Sequence, residues 1–262
     1  MRIRGISAIV TLSLGSLGTL AAVAAERALR GEYETWGATP DEVRATLPGD
    51  GIVPEPLRAS TRVIDIDAAP DAVWPWIVQI GHRRAGLYSY DWLENLVGCD
   101  LHSADQVLPE HQTLQHGDVI RMGPEGYPEF SVVEVEPPHH LILVSAGPHT
   151  RQSAQGAGTP VSTTWQSVIE PHGAGSRLIS AQRPTYPSSQ SAMWALVQPI
   201  DFVMERKMLL GIQLRAERST QSRTNSQPLR ESKPSANETM SVAPKPQSMS
   251  SSPPSEALIE SS

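Results

Sequence analysis

The sequence predicts an α+β fold made of one antiparallel sheet and a long C-terminal helix. Three observations point there. A strand-like run passes directly into a helix-like run near the start, and five further strand-like runs follow, separated by Gly- and Pro-rich turns. A long segment with apolar residues at helical spacing then closes the domain.

Two ends stand apart from that domain. Residues 1–30 hold Arg2 and Arg4, an uncharged run from Gly5 to Ala25, and then Glu26, Arg27 and Arg30. Twenty-one uncharged residues in a helix would cover roughly the thickness of a bilayer core, so a single membrane anchor is expected. The alternative is a secretory signal cleaved after the small residues "AVA" at 22–24. Residues 219–262 carry thirteen Ser, six Pro and no aromatic residue, a composition expected to stay disordered. The domain therefore spans residues 31–218. The chain's formal charge is −7, and the middle carries −10 of it against +3 for the head and zero for the tail. That acidity argues against nucleic acid as a partner. The single cysteine, Cys99, excludes an intrachain disulfide and a Cys-based zinc set.

Each element has a local cause. Thr39-Pro40-Asp41-Glu42 combines a capping hydroxyl, a proline at the first helical position and acids in the first turn, so a short helix starts there. Pro48 to Gly51 stop it. In "STRVIDIDA" (60–68), Ile64 and Ile66 alternate with Asp65 and Asp67, which predicts a strand with one buried face. In "APDAVWPWIVQI" (69–80), Val73, Trp76, Ile77 and Ile80 form a helical stripe, with a kink or late start expected at Pro75. Strands follow at 117–123, 129–136, 140–146, 162–170 and 176–184, spaced as an antiparallel meander. The last element, 188–218, reads as a helix whose apolar stripe is Met193, Leu196, Val197, Ile200, Val203 and Met204, with a kink at Pro199. If the sheet curls around that helix, a cavity lies between them.

The segment between the first helix and the meander, "GLYSYDWLENLVGCDLHSADQVLPE" (86–110), concentrates aromatic and ionisable residues. An acid/base reading uses His102 with Asp105 or Asp91, as cyclisation or dehydration would require. The plainer and preferred reading makes Asp91 a helix cap, Glu94 a solvent-facing acid and Asp105 the partner that orients His102. No catalytic residue is assigned on this basis. A third reading makes the segment a pocket wall, with Trp76, Tyr88, Tyr90, Trp92, Glu94 and Trp165 as ligand-binding candidates from elements the fold would bring together. None of the eight histidines has the spacing of a helical metal pair, so no metal site is expected, and His139 and His140 are expected to face solvent in a hairpin turn. No nucleotide loop or nucleophile elbow is present, and no cofactor is expected.

Trp74-Pro75-Trp76, the run Tyr88 to Asn95 ("YSYDWLEN"), His102-Ser103-Ala104-Asp105 and "FVMERKMLLGI" (202–212) resemble a bacterial branch of the START-like helix-grip superfamily, also called SRPBCC. The resemblance covers roughly residues 32–217. That superfamily includes polyketide cyclases, sterol and phospholipid carriers, and hormone receptors. It implies a helix-grip fold with an internal cavity and does not select a reaction. The resulting expectation is a membrane-tethered domain that binds a small hydrophobic or amphipathic molecule. A cyclase- or dehydratase-like enzyme and a non-catalytic scaffold with a filled core are the alternatives.

Overall fold

The computed structural model describes residues 30–53, 55–96, 98–145, 162–186 and 188–226. Its elements, in chain order, are α1 (Pro40–Arg44), β1 (Ser60–Ile66), α2 (Pro70–Val78), α3 (Asp91–Leu96), β2 (Val119–Arg121), β3 (Glu129–Glu136), β4 (His140–Ser145), β5 (Ser162–His172), β6 (Gly175–Thr185) and α4 (Ser191–Ser226). The strands form one curled antiparallel sheet in the order β1-β6-β5-β4-β3-β2. The meander β2 to β6 matches the sequence expectation, and β1 completes the sheet by pairing with β6.

The inner face of the sheet packs against α2 and the second half of α4. Ile64, Ile66, Leu141, Leu143, Ile169 and Leu178 come from the strands, and Trp76 and Ile77 from α2 meet Met208, Leu209 and Ile212 of α4. Burying such side chains stabilises the domain by roughly 1.5–3 kcal/mol each relative to exposure. Gly211 lets α4 approach the chain at Tyr88, because a Cβ there would lie 2.5 Å from the Tyr88 carbonyl oxygen.

The outer face is covered too. Leu47 packs with Val63, Val168, Ile179 and Ala181 in a second apolar cluster. α1 forms as its sequence dictates, with the Thr39 side chain and the Glu42 carboxylate capping each other's backbone N–H. Glu42 also accepts from Arg177 of β6, and that pairing holds its carboxyl down at about 2. This cover explains a departure from expectation. β1 is buried on both faces except at Asp65, because residues 37–53 shield the side that alternation alone would leave wet.

Further expectations need correction. α2 starts at Pro70 rather than late at Pro75, and both prolines expected to mark kinks, Pro75 and Pro199, lie within helices. α4 also continues to Ser226, so a tail beginning at residue 219 would start inside it. Ser219 and Thr220 bond back to the carbonyls of Arg215 and Ala216 at 2.8 and 3.1 Å, which keeps polar residues in the helix. The apolar stripe placed on its first half does not face the core. Met193, Ile200 and Val203 are about half exposed, and the buried stripe is Glu205, Met208, Leu209, Ile212 and Ala216. The side chain of Leu196, the run Gly5–Ala25 and residues 227–262 lie outside the described residues. Among the described residues no helix is long and apolar enough to cross a membrane.

Candidate ligand-binding cavity

The inner face changes character along each strand. On β1, Ile64 and Ile66 enter the core, whereas Ser60 and Arg62, on the same face, look into open space. On β6, Leu178 is core, and Gln182 and Pro184 line the same space. Together with Phe130 of β3, Trp165 of β5 and the first half of α4, these residues line a cavity of about 1240 Å3 that is open to solvent.

The cavity's apolar wall includes Leu87, Met122, Phe130, Trp165, Trp194 and Met204. Phe130 and Trp165 meet edge to face at 5.7 Å, and Trp194 stacks on Tyr186 at 5.1 Å. A polar cluster sits at the boundary with the solid core. Arg62, 2% exposed, donates to Asp201 at 3.0 Å and to Glu205 through the same nitrogen. Glu205 also accepts from Ser180 at 2.5 Å and from Gln182 at 2.9 Å, and Trp165 Nε1 donates to Ser180 at 3.0 Å. Burial pushes the Glu205 carboxyl up, against the pull of Arg62. Such a cluster costs desolvation and is stable only because nearly every member is satisfied.

Glu94 differs from that cluster. It lines the cavity, is 7% exposed, and its Oε2 has no hydrogen-bond partner. Burial, reinforced by nearby Asp91, pushes its carboxyl up to about 7. Trp194 Nε1 is a second cavity-wall polar atom without a partner. Both atoms therefore lack a protein partner, on residues that line the cavity.

The six residues proposed from sequence divide three ways. Glu94 and Trp165 line the cavity. Trp76 and Tyr88 lie in the solid core, ring to ring at 6.0 Å, where the Tyr88 hydroxyl accepts from Gln79 at 2.8 Å and Arg215 covers the ring at 4.7 Å. Tyr90 is half-buried, with Lys207 Nζ 5.9 Å from its ring centre, and Trp92 is 69% exposed on the outer side of α3. Neither of the last two walls the cavity; for Trp92 the reason is that the short α3 turns Glu94 inward and thereby turns Trp92 out.

The acid/base candidates are not assembled. The His102 side chain is 82% exposed and meets Asp100 at 3.4 Å, while Asp105 accepts from Arg215 at 2.9 Å. Asp91 accepts from the Ser103 backbone and hydroxyl at 2.7 and 2.6 Å, so it ties α3 to the following loop. Glu94 facing the cavity also corrects the reading that put it in solvent. Among the described residues, Glu134, Glu136 and His140 place one ligand atom each within 4.8 Å of one another. His140 is buried in β4, not solvent-facing, and Glu134 lies 3.0 Å from its Nε2. This group sits on the β3–β4 hairpin, and none of its members lines the cavity.

Sequence reasoning missed Arg62, Asp201 and Glu205. The signal was available for two of them: Arg62 shares strand parity with Ile64 and Ile66, and Glu205 sits at helical spacing from Met208, Leu209 and Ile212. A charge on a buried face requires a partner.

No family model and no curated protein matches the chain. Similar solved structures include the Aha1 dimer of Colwellia psychrerythraea, at 15% identity over 62% of this chain and 97% of that one, with a TM-score of 0.37. A polyketide cyclase-like protein of Corynebacterium glutamicum matches at 17% identity over 64% and 96%, also with a TM-score of 0.37. A protein of Rhodobacter sphaeroides matches at 18% identity over 60% and 90%, with a TM-score of 0.38. Scores this low carry no argument about activity. The strand order, the two helices between β1 and β2, and the long terminal helix are the α+β arrangement expected from the sequence, one antiparallel sheet with a long helix at its end.

Proposed function

We propose that the protein binds a small amphipathic molecule in the cavity between the sheet and α4. The cavity itself carries this reading. Its volume of about 1240 Å3 exceeds what a filled core would leave, and its wall joins aromatic and methionine surface to a few fixed polar groups. A binding role is favoured over an acid/base reaction because His102 and Asp105 are held by different partners outside the cavity. The run Gly5–Ala25 would tether the domain to a membrane, close to a source of such molecules.

Native mass spectrometry of the purified full chain, followed by denaturing release, tests the binding role. The expected result is a reproducible co-purified small molecule, lost when Trp165→Arg fills and charges the wall. A chain that is folded yet neither retains a molecule nor takes up an added apolar fluorophore would overturn it. Carbonate washing of membranes tests the tether, which predicts that the chain stays with the lipid.

A further inference from the structure

Building on the cavity-binding reading, we infer that the ligand carries a basic amine, which the Glu94 carboxylate receives, on an otherwise apolar body. Three observations lead there. First, Glu94 is more than nine-tenths buried, faces the cavity and leaves Oε2 unpartnered. A carboxylate in that position has lost its water without gaining a donor, so an ammonium group is the ligand chemistry that offsets most of the cost.

Second, the cations that line the cavity among the described residues are already engaged. Arg62 is held by Asp201 and Glu205, and Arg58 donates to Tyr186 and Gln198 at 2.9 and 3.0 Å, with Glu34 at 3.4 Å. Among the described residues, six carboxylates line the cavity against these two arginines. An anionic headgroup would enter a field of its own sign, and a fatty-acid-like ligand is disfavoured for that reason.

Third, the remaining wall suits a cation on a hydrocarbon body. Phe130, Trp165, Tyr186 and Trp194 offer ring faces and edges, and ring faces attract ammonium groups by roughly 0.5–2 kcal/mol. The free Trp194 N–H would take a hydroxyl or ether oxygen elsewhere on the same ligand. The raised carboxyl of Glu94 fits this role, since an arriving neutral amine would take up its proton and leave an ammonium–carboxylate ion pair.

The test uses the full chain, the neutral fluorophore N-phenyl-1-naphthylamine as cavity reporter, and three competitors of equal chain length: dodecylamine, 1-dodecanol and dodecanoate. It is run at about pH 8, above the value of about 7 at which Glu94 titrates. Dodecylamine should displace the reporter at least about tenfold more effectively than dodecanol, as one charge-assisted hydrogen bond warrants, with dodecanoate weakest. In Glu94→Gln that advantage should fall by about tenfold while dodecanol is unaffected. Equal displacement by amine and alcohol in the wild-type chain would overturn the amine assignment and leave cavity binding standing. So would an amine preference that survives undiminished in folded Glu94→Gln. If that variant does not fold, the wild-type series decides alone. A reporter that never binds would overturn both readings.

Discussion

The two ends of the inner face make an instructive comparison. At one end, Ile64, Ile66, Leu141, Leu178, Leu209 and Ile212 fill the space between sheet and helices. At the other, the same strands and the same helix present Ser60, Arg62, Ser145, Gln182, Asp201 and Glu205 around a void. The backbone frame is continuous across both, so the difference lies in side chains. Large aliphatic residues close one end, and polar residues that must be mutually satisfied keep the other open. α4 joins them, and the division falls at Glu205, between its cavity-facing first half and its buried second half.

The sharpest way to break this comparison is Arg62→Met. If the polar cluster supports the hollow end, stranding Asp201 and Glu205 should cost about 3–5 kcal/mol in urea unfolding. A cost near zero would mean the filled end alone holds the fold. Leu209→Ala tests that filled end directly and should cost about 2–5 kcal/mol, through lost transfer energy and a residual hole. A smaller loss would show that the packed region can collapse around the gap.

A pH series sharpens the contrast further. The Glu94 carboxyl takes up a proton near 4.5 in an unfolded chain and at about 7 when folded. Between those values the folded state binds more protons, so this group's contribution to stability declines as pH rises, by up to about 1.4 kcal/mol per pH unit. Urea midpoints at the two limits should differ less in Glu94→Gln than in wild type, and equal differences would refute this assignment. The smallest effect is expected at Ile200→Ser. Ile200 is 59% exposed, so stability should change by no more than about 0.5 kcal/mol. A larger loss would mean that the face of α4 carrying Ile200 is covered rather than exposed.

Much of the frame was legible in the sequence because local rules decide it. The capping hydroxyl of Thr39 before Pro40, the start of α2 at Pro70 and the five strand-like runs of the meander each carry their own signal. The cavity was harder to read because residue type does not report which way a side chain points. Trp92 and Glu94 lie two positions apart on one short helix, and one faces solvent while the other faces the cavity. Counting only apolar residues on the last helix also chose the wrong face. Its inner surface holds Asp201 and Glu205, whose partners Arg62 and Ser180 lie far away in sequence.

The pairing of β1 with β6 has a consequence for how the chain is made. Ser60 lies opposite Gln182, and among the described residues β1 has no other strand neighbour. A ribosome adding roughly 5–20 residues per second needs about 6–25 s to cover that separation. Throughout that interval the nascent chain carries Val63, Ile64 and Ile66 with no strand to pair with, while β2 to β5 can zip up in turn as they emerge. The first strand synthesised is thus the last to find its place.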